Sequence, residues 1–230
     1  MNLRVIAFIT LVLPTLGGCR MGGDSEILLS GTLEMTEHSV GARVPGRIAT
    51  LGFDEGQPVT KGQVLATLDR FEQAQRDNER LKRQLGQGGV SQQAVEQGDL
   101  SVEDQRVVSP VDGVVLVKVR EAGEVVAAGG PVAVIGDTAR VWVRVYVPEG
   151  DIARVRLGQT ASLKFDGIAR EVTGKVFYIA PQAEFTPRNV QSQEERVTQT
   201  FAVKIALDRP DPGLKPGIAS DVTLNLGSAP

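Results

Sequence analysis

Two stretches of this chain repeat each other without gaps at an offset of 67 residues. The first runs Val44-Pro45-Gly46-Arg47-Ile48 through Glu55-Gly56 and Lys61-Gly62 to Val64-Leu65-Ala66-Thr67-Leu68. The second runs Ser109-Pro110 through Gly113-Val114-Val115, Ala122-Gly123 and Ala128-Gly129 to Val132-Ala133-Val134-Ile135. In both, the glycines stand ten and then six residues apart: Gly46, Gly56, Gly62 and Gly113, Gly123, Gly129. Glycines at fixed points between short Val/Ile/Leu alternations predict turns that need positive φ, joining strands with one buried face. Two near-identical strand sets then close on each other as a small sandwich. The 26 glycines and 12 prolines in 230 residues suit short strands and tight turns better than a helical bundle.

Between the halves lie residues 70–105, whose first part, 70–85, is free of Gly and Pro. Phe71, Ala74, Asn78, Leu81 and Leu85 alternate at spacings of three and four, an a/d seam with one polar a position, which predicts a coiled-coil helix. Asp69 and Glu72 are placed as an N-cap and its capping-box partner, and Glu72/Arg76 and Glu79/Arg83 are oriented i,i+4 pairs. Gly86, Gly88 and Gly89 end the helix. Ser91 can cap a second helix over 92–97, which Gly98-Asp99 is expected to interrupt. The insertion therefore reads as a short α-helical hairpin.

The repeat pattern resembles the two halves of a biotinyl/lipoyl domain. In carriers of that fold a tight hairpin bears the modified lysine. Lys82, the only lysine in the insertion, sits in Leu81-Lys82-Arg83 without the Met or Asp flanks of the carriers, which disfavours covalent loading. A lipoyl-like domain split by a helical hairpin resembles the periplasmic adaptors of tripartite exporters, the membrane fusion proteins of the HlyD type. Ser30-Gly31-Thr32-Leu33-Glu34, Ser109-Pro110-Val111-Asp112-Gly113 and Leu214-Lys215-Pro216-Gly217-Ile218-Ala219 match further segments of that family. At the hairpin tip the resemblance implies channel-docking residues Arg80, Leu85 and Ser91, although Gln84 holds the family's Leu position and Leu85 stands beside it. Leu85 as the last seam residue and Ser91 as a cap is the other reading of the tip, and both roles can coexist.

The rest of the chain reads as a β-barrel. Val141, Val143, Val145 and Val147 alternate with Trp142, Arg144 and Tyr146; Ala161, Leu163 and Phe165 precede the turn signal Asp166-Gly167; Phe201, Val203, Ile205 and Leu207 alternate again. Trp142 is expected to pack the barrel, and the lone His38 receives no role. The fold class is thus mainly β: a split biotinyl/lipoyl-like sandwich (39–69 and 106–137) with an inserted hairpin (70–105), plus a β-barrel (27–38 and 138–226).

Arg4 precedes an apolar run over 5–13, too short to span a bilayer, followed by Pro14 and Leu16-Gly17-Gly18-Cys19. This resembles a bacterial lipobox, implying removal of residues 1–18 and lipid attachment at Cys19. The expected location is the periplasm, anchored by lipid, with the inner membrane favoured. One Cys and one His leave no material for a disulfide, a Cys-based zinc site or a Ser-His-Asp triad, so neither metal, cofactor nor catalysis is expected. A net charge of -3 disfavours nucleic acid. The resemblance implies a homo-oligomeric adaptor joining an inner-membrane transporter to a TolC-like outer-membrane channel for efflux or secretion. The segment 180–187 and the single barrel favour an ABC transporter over an RND pump. The alternative is a periplasmic lipoprotein that binds a small ligand or a single partner through its barrel.

Overall fold

The computed structural model describes residues 26–168, 170–185, 199–209 and 213–226. Cys19 and the Glu194-Glu195-Arg196 loop lie outside them. Thirteen strands and three helices follow in order: β1 (Glu26–Gly41), β2 (Gly46–Leu51), β3 (Pro58–Val59), β4 (Val64–Leu68), α1 (Phe71–Gly86), α2 (Gln92–Asp104), β5 (Arg106–Val108), β6 (Gly113–Lys118), β7 (Val125–Val126), β8 (Pro131–Pro148), α3 (Glu149–Ile152), β9 (Thr160–Phe165), β10 (Val172–Ile179), β11 (Glu184–Phe185), β12 (Gln199–Leu207) and β13 (Ala219–Asn225).

The sandwich is built on a pseudo-twofold that follows the sequence offset. Gly56 N–H donates to the Val115 carbonyl at 2.8 Å, and its repeat mate Gly123 donates to Ile48 at 2.8 Å. Gly62 donates to Ser109 at 2.8 Å, and Gly129 to Ala42 at 2.8 Å. β3 pairs β6 through Pro58↔Val114, and β7 pairs β2 through Arg47↔Val125. Each half therefore satisfies the turn amides of the other, which neither half can do alone. Gly56, Gly62, Gly123 and Gly129 have φ between 75° and 92°, as the spacing predicts. Gly46 and Gly113 do not. They are strand residues kept small by close approach: a Cβ on Gly113 would stand 2.2 Å from the Gly136 carbonyl oxygen. Ile48, Leu65, Leu68, Val107, Val115, Val126 and Ile135 fill the core between the two layers.

The barrel is a closed ring of six strands in the order β8-β12-β10-β9-β13-β1, with β1 returning to β8. The odd-numbered valines from Val141 to Val147 point inward with Leu33, Leu163, Phe165, Ile205 and Leu224. The Leu214-to-Ala219 turn seals one end, Gly217 N–H donating to Leu33 O at 2.8 Å and Leu33 N–H to Ile218 O at 2.9 Å.

The two domains share their longest strands. β1 pairs β8 in the barrel from Gly31 to Met35 and in the sandwich from Thr36 to Gly41. Between Met35 and Thr36 the register jumps from Val141 to Asp137, so residues 138–140 bulge out. Asp137, buried at this junction, accepts from Ala139 N–H at 2.8 Å and faces His38 at 3.9 Å. A groove of about 820 Å3 opens beside it, lined by Met35, Val59, Leu116, Val141 and Leu214.

Candidate partner-binding surfaces

The hairpin leaves the sandwich at the end remote from the barrel. Arg43, two residues past β1, holds its base by an ion pair to Glu103 at 2.9 Å. α1 carries 16 residues, about 24 Å at 1.5 Å per residue. Its predicted seam is the face turned to α2: Phe71, Ala74, Leu81 and Leu85 are half-buried and Asn78 is buried.

Three local expectations are corrected. The residue before α1 is Arg70, and no side chain caps it, so the Asp69/Glu72 box does not form. Of the two ion pairs, Glu72 reaches Arg76 at 3.5 Å, whereas Glu79 accepts from Gln75 instead of meeting Arg83. α2 runs unbroken through Gly98 to Asp104. Gly98 is a contact rather than a break: a Cβ there would meet Asn78 Oδ1 at 2.5 Å and Leu81 Cδ1 at 3.1 Å. Next to it Asp99 accepts from Asn78 Nδ2 at 2.7 Å and pairs with Lys82 Nζ at 2.6 Å. The hydrogen bond from Lys82, then that from Asn78, hold the Asp99 carboxyl below its ordinary value of 3.8. Lys82, on an exposed helix face and occupied by Asp99, does not stand at the tight β-turn that a carrier lysine needs.

At the tip, α1 ends in a Schellman arrangement. Gly88 takes φ +74°, its N–H donates to Leu85 O at 3.0 Å, and Gly89 N–H donates to Gln84 O at 2.9 Å. Ser91 Oγ accepts from Ala94 N–H at 3.2 Å, capping α2. Arg80 is exposed and paired with Asp77 at 2.8 Å, so its guanidinium lies along α1 a turn and a half before the helix end. Leu85 and Ser91 thus stand at the tip, the first half-buried in the seam and the second engaged as a cap, while Arg80 stands further back on the distal half of α1.

The barrel carries a second candidate surface that the sequence reading missed. Trp142 is not core packing; it lies on the outer wall with Arg144 and Tyr146, where the strict alternation with buried valines already placed it. Glu34 Oε2 accepts from Trp142 Nε1 and from Arg144 Nη2, both at 2.9 Å. Burial pulls the Arg144 guanidinium pKa down, but its hydrogen bond to Tyr146 and the Glu34 charge raise it overall. Lys204 Nζ sits 5.0 Å from the Trp142 ring and 5.4 Å from the Tyr178 ring. Phe177 meets Trp142 edge-on with ring centroids 6.3 Å apart.

Comparison with known proteins follows this division. Residues 36–138 match the family described as the RND membrane fusion protein barrel-sandwich hybrid domain, and residues 140–228 match the CusB-like β-barrel domain. A UPF0194 membrane protein of Acidithiobacillus ferridurans is 36% identical over 124 residues, 54% of this chain and 37% of that protein. The UPF0194 membrane protein YbhG of Salmonella gallinarum is 30% identical over 127 residues, 55% of this chain and 38% of its own length. The matches therefore span well under half of those relatives. Among solved structures, a MacA-MexA chimera containing the Pseudomonas aeruginosa MexA α-hairpin superposes with a TM-score of 0.61 at 22% identity, covering 90% of this chain and 83% of that one. MacA from Actinobacillus actinomycetemcomitans gives 0.59 at 18% identity, covering 89% and 79%. The periplasmic adaptor EmrA gives 0.57 at 14% identity, covering 89% and 100%.

Proposed function

This chain carries the barrel-sandwich hybrid and β-barrel domains of the membrane fusion proteins, or periplasmic adaptors, and on that footing we propose that it is a non-catalytic adaptor linking an inner-membrane transporter to an outer-membrane channel. The observation that carries the reading is the sandwich whose two interlocked halves are parted by an antiparallel helical hairpin. The order of parts along the molecule suits a bridging role. β1 starts at Glu26 at the free end of the barrel and finishes in the sandwich, from whose far side the hairpin projects. Lipid on Cys19 tethers the barrel end, because six residues separate it from Glu26, at most about 25 Å of extended chain. Restriction to a membrane raises effective concentration and lets modest contacts with several partners add up.

No helix among the described residues is long and apolar enough to cross a membrane. The lipobox resemblance supports anchoring by acylation at Cys19, and the adaptor reading favours the inner membrane as its place. Arg80, Leu85 and Ser91 are the docking residues for a TolC-like channel, on the strength of the tip resemblance and of the place of Leu85 and Ser91 at the hairpin end, with Arg80 on the distal half of α1. The resemblance of the 180–187 segment supports an ABC transporter as partner, while the descriptions of both domain matches, RND and CusB-like, weigh toward an RND pump. Crosslinking the protein in its native membranes, followed by purification, decides: an ABC transporter together with a channel is expected. A transporter without a channel would refute docking at the tip. Recovery of neither would refute the adaptor and favour a ligand-binding lipoprotein. Cys19→Ala is expected to release the protein from the membrane fraction, and unchanged fractionation would remove the tether.

A further inference from the structure

The loop between β8 and β9 closes the end of the barrel at which β1 begins. It lays Ile152 and Val155 against the core beside the buried Leu226, and Arg154 Nη2 donates to the Leu226 carbonyl at 3.4 Å. Gln159 Nε2 donates at 2.8 Å to the carbonyl of Asn225, the residue paired with Glu26 at the start of β1. This plug and the first residue of β1 therefore share one end of the molecule.

Leu157 is left out of the plug. Residues Arg156, Leu157, Gly158 and Gln159 form a β-turn, with Gln159 N–H donating to Arg156 O at 3.3 Å and Gly158 at φ +80°. Gly158 N–H also donates to Val176 O at 2.7 Å, which pins the turn to β10. The second position of such a turn accepts most side chains, so nothing in the fold calls for a leucine there. Among the described residues Leu28 is 70% exposed and Leu157 and Val125 are 67% exposed, more than any other large apolar side chain. Val125 belongs to the sandwich, whereas Leu157 and Leu28, two residues after Glu26 on the same face of β1, stand at the plugged end. One exposed leucine on a surface is ordinary; two at the end where the chain runs back to Cys19 define a surface with a direction.

Charge does not choose what covers them. Arg154 pairs with Asp151 at 3.6 Å, Arg156 turns its guanidinium back onto the carbonyls of Ala153 and Val155, and Glu26 and Glu149 are exposed at the same end. The position of the chain's first described residue does choose. Residues 20–25 join Cys19 to Glu26, so a lipid on Cys19 holds the plugged end within about 25 Å of a bilayer. At that range the membrane surface is always at hand, and two leucines are enough to hold a contact too weak to form without the tether.

We propose that the Leu157 turn, with Leu28 at the same end, sits in the interface of the phospholipid leaflet that holds the Cys19 lipid. This rests on the reading of Cys19 as the lipidated residue and adds a second membrane contact on the folded body. A flexible tether alone leaves the tilt of the barrel free, whereas a rigid turn seated in the interface restrains it. The test uses the full lipidated chain in phosphatidylcholine vesicles, carrying Leu157→Cys labelled with an environment-sensitive fluorophore; the unsubstituted protein, its Cys19 thiol acylated, takes no label. Leu100→Cys, at an exposed position of α2, is the control, and Leu28→Cys is a second reporter. At positions 157 and 28 the emission is expected to shift to the blue and to be quenched about twofold or more by nitroxide lipids, unchanged by high salt. The label at position 100 is expected to show neither effect. Flotation of the unsubstituted protein with the vesicles separates the two failures. Floating protein with an unquenched label at position 157 overturns the lipid contact alone and leaves the turn to a protein partner. Protein that does not float removes the Cys19 tether, and the lipid contact with it.

Discussion

Gly98 shows how one missing side chain sets the geometry of the hairpin. It lets α2 pass against Asn78, whose Oδ1 is buried without a hydrogen-bond partner and rests on the Gly98 backbone. Gly98→Ala gains about 1 kcal/mol of helix propensity but forces a Cβ to within 2.5 Å of that oxygen, and overpacking of this kind costs about 1–3 kcal/mol. A net loss of hairpin stability is expected, read as faster amide exchange in α2; slower exchange would show that the helices can part freely. Asp99 adds a pH dependence. Its carboxyl is held below 3.8 in the folded hairpin by Lys82 and Asn78, so the unfolded state binds the proton more readily. The stabilisation is complete above the ordinary value and is lost as pH falls through the lowered one. Exchange protection in α2 should fall in that acid window, and Asp99→Asn should remove that component.

At the scale of elements, the hairpin is two short helices joined at the tip by the glycine stop of α1 and the serine cap of α2. Ser91→Ala removes the acceptor for Ala94 N–H and is expected to cost about 1 kcal/mol, seen as fraying of the first turn of α2. Channel docking would be altered in that variant only in proportion to the fraying if Ser91 serves solely as a cap. A larger loss of channel crosslinking than fraying explains would assign the hydroxyl a contact of its own. The seam of α1 was legible because a 3.5-residue period survives any neighbour. The length of α2 was not, because Gly98 weighs against a helix locally and only the packing of α1 against it shows why a glycine is there.

For the molecule as a whole, the duplicated halves share their glycine spacing and differ in load. Gly46 and Gly113 occupy equivalent places, yet a Cβ on Gly46 would touch Leu68 at 3.2 Å, whereas on Gly113 it would strike the Gly136 backbone oxygen at 2.2 Å. Side chains can shift and a paired strand cannot. Gly113→Ala is therefore expected to cost about 3 kcal/mol or more, and Gly46→Ala much less, in chemical denaturation. Equal losses would mean that the sandwich does not distinguish its halves. The asymmetry arises because β8 runs on into the barrel, so the strand facing Gly113 is clamped on both sides of the junction.

The repeat, the turn glycines with positive φ, the inserted hairpin and the inward valines of the barrel all follow from the order of residues, because periodicity and backbone stereochemistry are local properties. Whatever depends on two distant segments meeting came only with the folded chain: that the halves exchange turn hydrogen bonds, that Gly98 and Gly113 are points of close approach, and that β1 and β8 join both domains. The bulge in β10 that brings Phe177 and Tyr178 beside Trp142 and Lys204 belongs to the same class. These residues lie far apart along the chain, and closure of the barrel is what makes them one surface.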